Sequence, residues 1–258
     1  MKISMLGSGS KGNATFVETE GMKILIDAGF SGKKLKEKLE GIGKNIEEID
    51  ALLITHEHGD HIMGAGIISR KYNIPIYITR ESYEAGMKKL GNIAEENLNF
   101  LEGEFKLSSK VKVRPFDVMH DAKRTMGFRI VNSSGKKLAL ATDIGYVDNL
   151  VKEHFKGVDI MVIECNYDYG MLMTCSYPQD LKHRVKSNNG HLSNEAAARF
   201  ICDNYHEGLK KVYLAHVSRD SNRYEKALAV VREELERQDI MVDLEMAYQE
   251  RATDIFSI

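Results

Sequence analysis

Cysteine is scarce. The 258-residue chain has three, Cys165, Cys175 and Cys202, an odd count with no Cys-x-x-Cys pair. That excludes a disulfide framework and a thiolate zinc site as organising devices. Proline is equally scarce, at three residues. No Pro/Ser-rich linker, low-complexity stretch or repeat of about 20 to 50 residues interrupts the chain, so residues 1–258 read as a single domain. No apolar run approaches the roughly 18 to 20 residues that span a bilayer. Residues 1–12 read as a strand entering a glycine-rich turn rather than a signal peptide, and a cytoplasmic protein with no membrane partner is expected. Charge of one sign is missing too. Thirty-six Lys and Arg against 38 Asp and Glu leave a net −2, so no overall basic field points to nucleic acid, and only a local patch would do so. What remains is 43% hydrophobic residues, enough for a sizeable core, and nine histidines.

Short β-like runs at 2–6, 14–18 and 22–26 are separated by Gly-Ser-Gly-Ser-Lys-Gly-Asn and Glu-Gly turn signals. A charged amphipathic stretch, 31–40, has its apolar side at Leu35 and Leu39 and predicts a surface helix. The run 51–55 is of strand length, and 97–140 alternates in short β runs. The last hundred residues predict strand 158–163, helix 193–205, strand 211–215, helix 222–238 and strand 241–246. Asn222, three residues before Glu225, reads as a capping box opening the last helix. Strands grouped in the middle and alternating with helices at both ends imply an α/β chain: two sheets face to face with helices outside, an αββα four-layer sandwich.

The chemistry concentrates in Thr55-His56-Glu57-His58-Gly59-Asp60-His61, directly after an apolar run. In extended chain, His56 and His58 share a face and can clasp one ion. Once the chain turns into a helix, Asp60 and His61 project elsewhere and can serve a second ion within the roughly 3.5 to 4 Å typical of two-metal hydrolytic sites. Imidazole and carboxylate donors suit zinc, manganese or iron better than copper(I) or calcium.

His56-x-His58-x-Asp60-His61 resembles the signature of the metallo-β-lactamase superfamily. The resemblance implies an αββα fold and further metal ligands at later strand ends. Ile24-Leu25-Ile26-Asp27-Ala28-Gly29 is similar to the family's first motif, whose aspartate orients the metal loop from behind. His120 matches the histidine completing the first metal, Asp143 the carboxylate between the two ions, and His216 the histidine completing the second. Two divalent ions, zinc or manganese with iron an option, are implied. Such ions lower the pKa of a shared, metal-bridging water toward about 7 and neutralise substrate oxygens, which makes the chain a hydrolase. Asp60 can accept a proton from that water or orient the hydroxide it becomes.

The acid for the leaving group is sought at Gly190-His191-Leu192-Ser193-Asn194. Here a histidine precedes a helix with Ser193 as an N-cap, where an anionic phosphate meets free backbone N–H groups. It resembles the His-Ser/Thr element of the superfamily's phosphodiesterase branches. The acid at Asp143 departs from the many β-lactamases that have Cys there. Several further stretches resemble the YycJ group: Gly7-Ser8-Gly9-Ser10-Lys11-Gly12-Asn13, Glu164-Cys165-Asn166-Tyr167-Asp168, Tyr177-Pro178-x-x-Leu181-Lys182-x-Arg184 and Leu214-Ala215-His216-x-Ser218. That resemblance implies a 5′-to-3′ DNA exonuclease linked to mismatch repair, with Cys165 a departure from the small residue expected there.

The basic cluster Lys182, His183, Arg184 and Lys186 places phosphate-binding charge near His191. Amides of residues 7–12 are a candidate phosphate nest, and Arg219, Asn222 and Arg223 are further candidates near His216. The candidate substrate contacts are Ser8, Asn13, Lys182, Arg184, Ser193 and Ser218. Two other readings stay open. One is a small-molecule hydrolase, acting on a cyclic phosphodiester or a thioester, which shares all the metal motifs. The other is a metal-stabilised binding module without catalysis, which the full ligand set disfavours. Oligomeric state is not legible.

Overall fold

The first three apolar runs form an antiparallel meander, β1 (Lys2–Gly7), β2 (Ala14–Thr19) and β3 (Met22–Ile26), in the computed structural model, which describes residues 1–258. Helix α1 (Gly32–Gly41) starts where the Ser31 side chain accepts from Lys34 N, and it buries Leu35 and Leu39, as the pattern predicts. The first half is completed by β4 (Ala51–Leu53), α2 (Gly59–Ile62), α3 (Ala65–Tyr72), β5 (Ile76–Ile78), α4 (Arg80–Leu90) and β6 (Leu98–Phe100). The second half opens with strands β7 (Phe105–Ser108), β8 (Val111–Val118), β9 (Thr125–Asn132) and β10 (Lys137–Ala141). There follow α5 (Asn149–Phe155), β11 (Ile160–Glu164), α6 (Tyr169–Thr174), α7 (Gln179–Val185), α8 (Asn194–Asp203), β12 (Lys211–Ala215), α9 (Tyr224–Arg237) and β13 (Asp243–Met246). Finally β14 (Phe256–Ser257) returns to the edge of β1.

Two seven-stranded sheets result, in the orders β14-β1-β2-β3-β4-β5-β6 and β13-β12-β11-β10-β9-β8-β7. Each is antiparallel at one end and parallel at the other. The burial pattern follows that change. Antiparallel β8 alternates buried and exposed positions through much of its length, whereas parallel β11 and β12 are buried throughout, because helices cover their outer face. Ile3, Ile24 and Leu53 of one sheet meet Phe128, Val162 and Tyr213 of the other in the central core. Leu35, Ile68 and Leu90 cover the first sheet outside; Phe155, Phe200 and Val231 cover the second. The order helix, sheet, sheet, helix is the αββα layering expected. No helix is long and apolar enough to cross a membrane.

One local expectation fails. Asn222 does not cap α9, whose N-cap is Arg223 without a side-chain hydrogen bond. The Asn222 amide is fully buried and donates to Asn194 Oδ1 and to the carbonyls of Cys165 and Asn166. Pairing two buried loops outweighs capping, since those polar groups have no water to turn to.

The parallel strands β3 and β4 and the parallel strands β10, β11 and β12 end on a common edge. Ligands of open α/β sheets bind at such carboxyl ends, and here the histidines and carboxylates gather.

Candidate active site

Asp27 follows β3 with φ 61°, Asp143 follows β10 with φ 54°, and His216 follows β12 with φ 53°. Left-handed backbone at a non-glycine residue costs about 1–3 kcal/mol and persists where surroundings enforce it. Three such positions turn polar side chains off strand ends into one space. His61 Nε2 is 3.1 Å from Asp143 Oδ2 and 3.6 Å from Asp60 Oδ2. His216 Nε2 is 3.7 Å from Asp60 Oδ2, and His120 Nε2 is 3.7 Å from Asp143 Oδ1. His56, His58 and His120 form one donor group and Asp60, His61 and His216 another, while Asp143 joins His56 and His61 in a third.

Each imidazole is aimed by what its other nitrogen holds. Asp27 Oδ2 accepts from His61 Nδ1 at 2.7 Å, and its carboxylate also accepts from the Thr55 amide and hydroxyl. Thr55 Oγ1 is 3.0 Å from His56 Nδ1. The Gly190 carbonyl accepts from His120 Nδ1 at 3.1 Å, and Glu164 Oε1 from His216 Nδ1 at 2.8 Å. Nε2 of His56, His120 and His216 is thereby left for the centre, and that of His61 faces it with Asn13 Nδ2 also 3.1 Å away, the arrangement that orients metal-binding histidines. His56 Nε2, His216 Nε2 and Asp143 Oδ2 are buried without a hydrogen-bond partner, an expensive state unless something else binds them. A tetrahedral ion at about 2.0–2.1 Å from its ligands separates them by roughly 3.3 Å, close to the spacings here. The donor set is nitrogen and oxygen only, and it fits divalent metal.

The field points the same way. Burial opposes charge on His61, but Asp27 and Asp143 hold its pKa up at about 10. His216 is likewise held well above its ordinary value, against burial, by Asp143, Asp60 and Glu164. Burial also opposes ionisation of Asp143, yet His216 and His61 keep its carboxyl well below the usual range. A pocket that retains protons on buried imidazoles attracts a divalent cation in their place.

Beside these donors stands His191, whose Nδ1 is 2.8 Å from Glu164 Oε1. Glu164, at the end of β11, is fully buried. Its other oxygen accepts from the amides of Leu192 and Ile144. Against the cost of burial, His191 and then His216 hold the Glu164 carboxyl at about 2. Glu164 in turn outweighs the burial of His191 and raises its pKa. Nδ1 being spent on Glu164, the remaining nitrogen of His191 serves the cavity that His191 lines together with His58, Asp60, His120, Asp143 and His216.

A family model described as a beta-lactamase superfamily domain matches residues 22–217. The chain is 39% identical over 237 residues to Exodeoxyribonuclease YycJ of Bacillus anthracis, covering 92% of this chain and 89% of that protein. It is 36% identical over 256 residues to Exodeoxyribonuclease WalJ of Streptococcus pneumoniae, covering 98% and 95%. The chain belongs to the metallo-β-lactamase superfamily, in the YycJ-like group. Among solved structures, the metallo-beta-lactamase fold protein YhfI of Bacillus subtilis matches with a TM-score of 0.70 at 16% identity, over 98% of this chain and 99% of that one. That likeness bears on the fold, which is the αββα sandwich.

In this metallo-β-lactamase fold the sequence-derived metal candidates, Asp27 and His191 converge, while the candidate substrate contacts divide. Arg184 and Ser218 line the cavity, although Ser218 Oγ already accepts from the amides of Asp220 and Ser221. Lys182 is buried, its Nζ donating to the Met173 carbonyl. Ser193 caps α8, accepting from Ala196 N. Ser8 and Asn13 lie behind the donors: Ser8 Oγ accepts from His216 N at 2.8 Å and donates to Asn13 Oδ1. Asn13 Nδ2 is 3.1 Å from His61 Nε2. The glycine-rich turn is no open phosphate nest, since the amides of Ser8, Gly9, Lys11 and Gly12 already have acceptors. Arg219 pairs with Glu250, Arg223 donates to the carbonyls of Arg219 and Asn222, and neither lines the cavity. Cys165 is buried and donates to Asn194 Oδ1, away from the metal donors.

In the sequence Glu164 stands out only within the Glu164-Cys165-Asn166-Tyr167-Asp168 stretch, with no role of its own assigned. Beyond that stretch its signal is an acid ending an apolar strand, which is weak because such an acid is more often a solvated strand end.

Gly29 carries a sharp constraint. A Cβ there would lie 1.6 Å from the Asp60 carbonyl oxygen and 2.6 Å from Asn13 N, both backbone. Gly29→Ala is therefore expected to push the Asp60 loop outward, at a cost of about 1–3 kcal/mol or more. Thermal unfolding should show Tm lower by roughly 3–10 °C, with metal content reduced. Wild-type Tm and metal content together would refute the close packing.

Proposed function

We propose that this chain is a two-metal phosphodiesterase that removes nucleotides from the 5′ end of DNA. The observation that carries the reading is His191, held by Glu164 beside three converging groups of metal donors and open to the cavity. When bound, the divalent ions, zinc or manganese, supply a water acidified toward neutral pH and neutralise the phosphate oxygens. His56, His58 and His120 would hold one ion and Asp60, His61 and His216 the other, with Asp143 between them. Asp60 orients the attacking water. His191 donates a proton from Nε2 to the departing sugar oxygen while Glu164 stabilises the imidazolium. The relatives named exodeoxyribonucleases support DNA as the substrate, and the YycJ-group resemblance supports 5′-to-3′ polarity, a cytoplasmic setting and a role in mismatch repair.

Incubating the protein with manganese or zinc and, separately, double-stranded DNA, bis-p-nitrophenyl phosphate or a thioester tests the assignment. Degradation of DNA and of the small diester, with the thioester untouched, is expected. Thioester hydrolysis with DNA left intact would move the protein to a small-molecule branch.

A further inference from the structure

The cavity over the metal donors has a volume of about 260 Å³, below the roughly 300–1,000 Å³ of pockets that engulf drug-sized ligands. One of its walls is a single face of α7. Leu181, Arg184 and Val185 are spaced to share that face, and Tyr177 precedes them. All four line the cavity, and Arg184 is the only lysine or arginine that does. A site tracking a long stretch of backbone needs a row of cations. One cation serves one phosphate, next to an apolar strip against which a base or sugar can rest.

Arg184 is already engaged. Its Nε lies 2.5 Å from Asp121 Oδ2, with the two side chains 61% and 50% exposed. Asp121 also lines the cavity and follows His120 directly. A pair this exposed holds weakly, because water and salt compete for both charges. A phosphodiester presents two anionic oxygens to the guanidinium fork and can displace a single carboxylate. While paired to Arg184, Asp121 occupies the position such a phosphate needs and adds like charge to its approach.

Resting on the phosphodiesterase reading above, we infer that Arg184 and Asp121 form an electrostatic latch. Arg184 binds the phosphate next to the cleaved one, and Asp121 holds Arg184 when substrate is absent and recaptures it as product leaves. The latch sets DNA affinity rather than the chemical step.

Steady-state kinetics of the full chain with DNA and manganese test this through four proteins: wild type, Asp121→Asn, Arg184→Gln and the double variant. Asp121→Asn should lower KM several-fold with kcat within about twofold, because a competitor and a repelling charge are gone. Arg184→Gln should raise KM on the order of tenfold or more, the loss of a charge-assisted hydrogen bond. It should also flatten the slope of log affinity against log salt by roughly 0.7–0.9. In the Arg184→Gln background, Asp121→Asn should lower KM by clearly less than it does in the wild type, since only the repelling charge is then removed. Lys110→Gln, which removes an exposed charge from the turn between β7 and β8 and outside the cavity wall, controls for net charge and should match wild type. KM raised or unchanged in Asp121→Asn, or an equal Asp121 effect without Arg184, overturns the latch. Wild-type protein that cleaves bis-p-nitrophenyl phosphate but leaves DNA intact overturns the DNA reading together with it, so the two failures are distinguishable.

Discussion

Asp143→Ala is expected to abolish phosphodiester turnover while leaving a folded chain. Asp143 is the one carboxylate that reaches donors on both sides of the cluster: Oδ2 is 3.1 Å from His61 Nε2, and Oδ1 is 3.7 Å from His120 Nε2. Alanine removes the negative charge that holds His61 and His216 in a high-pKa state and leaves the bridging position without a ligand. If that position stabilises several kcal/mol of transition-state charge, its loss lowers the rate by roughly 10³-fold or more. Metal content per chain should fall as well. Circular dichroism separates loss of site from loss of fold, and Asp143→Asn, nearly the same shape, should behave alike. Normal turnover in Asp143→Ala would sink the two-metal mechanism.

His191→Ala is expected to behave differently. Its Nδ1 is committed to Glu164, and His216 keeps its own hydrogen bond to that carboxylate, so metal content should stay near wild type. What is lost is the proton for the leaving oxygen, typically worth 10²- to 10⁴-fold, an order-of-magnitude range. The loss should depend on the leaving group. DNA, whose sugar alkoxide departs poorly unless protonated, should suffer the full decrease. Bis-p-nitrophenyl phosphate, whose phenolate leaves without a proton, should slow by less than about tenfold. Equal losses on both substrates would assign His191 to binding instead of acid catalysis.

The metal donors were legible because the chain spends four of them within six residues, His56 to His61, at the end of an apolar strand. His120, Asp143 and His216 became legible only through the resemblance, since each alone is an ordinary polar residue at a strand end. The sandwich followed from strand grouping, and the surface helix from Leu35 and Leu39. Side-chain direction on short elements was not legible. Lys182 and Arg184 look like one basic cluster, yet two residues apart on α7 they point to nearly opposite sides. Accordingly Lys182 is buried and Arg184 lines the cavity. Partnerships distant in sequence were hidden too. Glu164 acts on His191 and His216, and Asp121 pairs with Arg184 across 63 positions (184 − 121). Ser8 and Asn13 sit near the site as expected but brace His216 and the Asp60 loop from behind, because a turn whose amides are mostly bonded already has no run of free N–H groups left for a phosphate.

The central claim is tested most directly by a time course on one linear DNA duplex carrying distinct labels at its 5′ and 3′ ends, with manganese or zinc supplied. The account predicts that the 5′ label appears as mononucleotide at the earliest times while the 3′ label stays in long fragments, and that a covalently closed circle of the same sequence is spared. Release of neither label, or cutting of the circle as fast as the linear duplex, would contradict it.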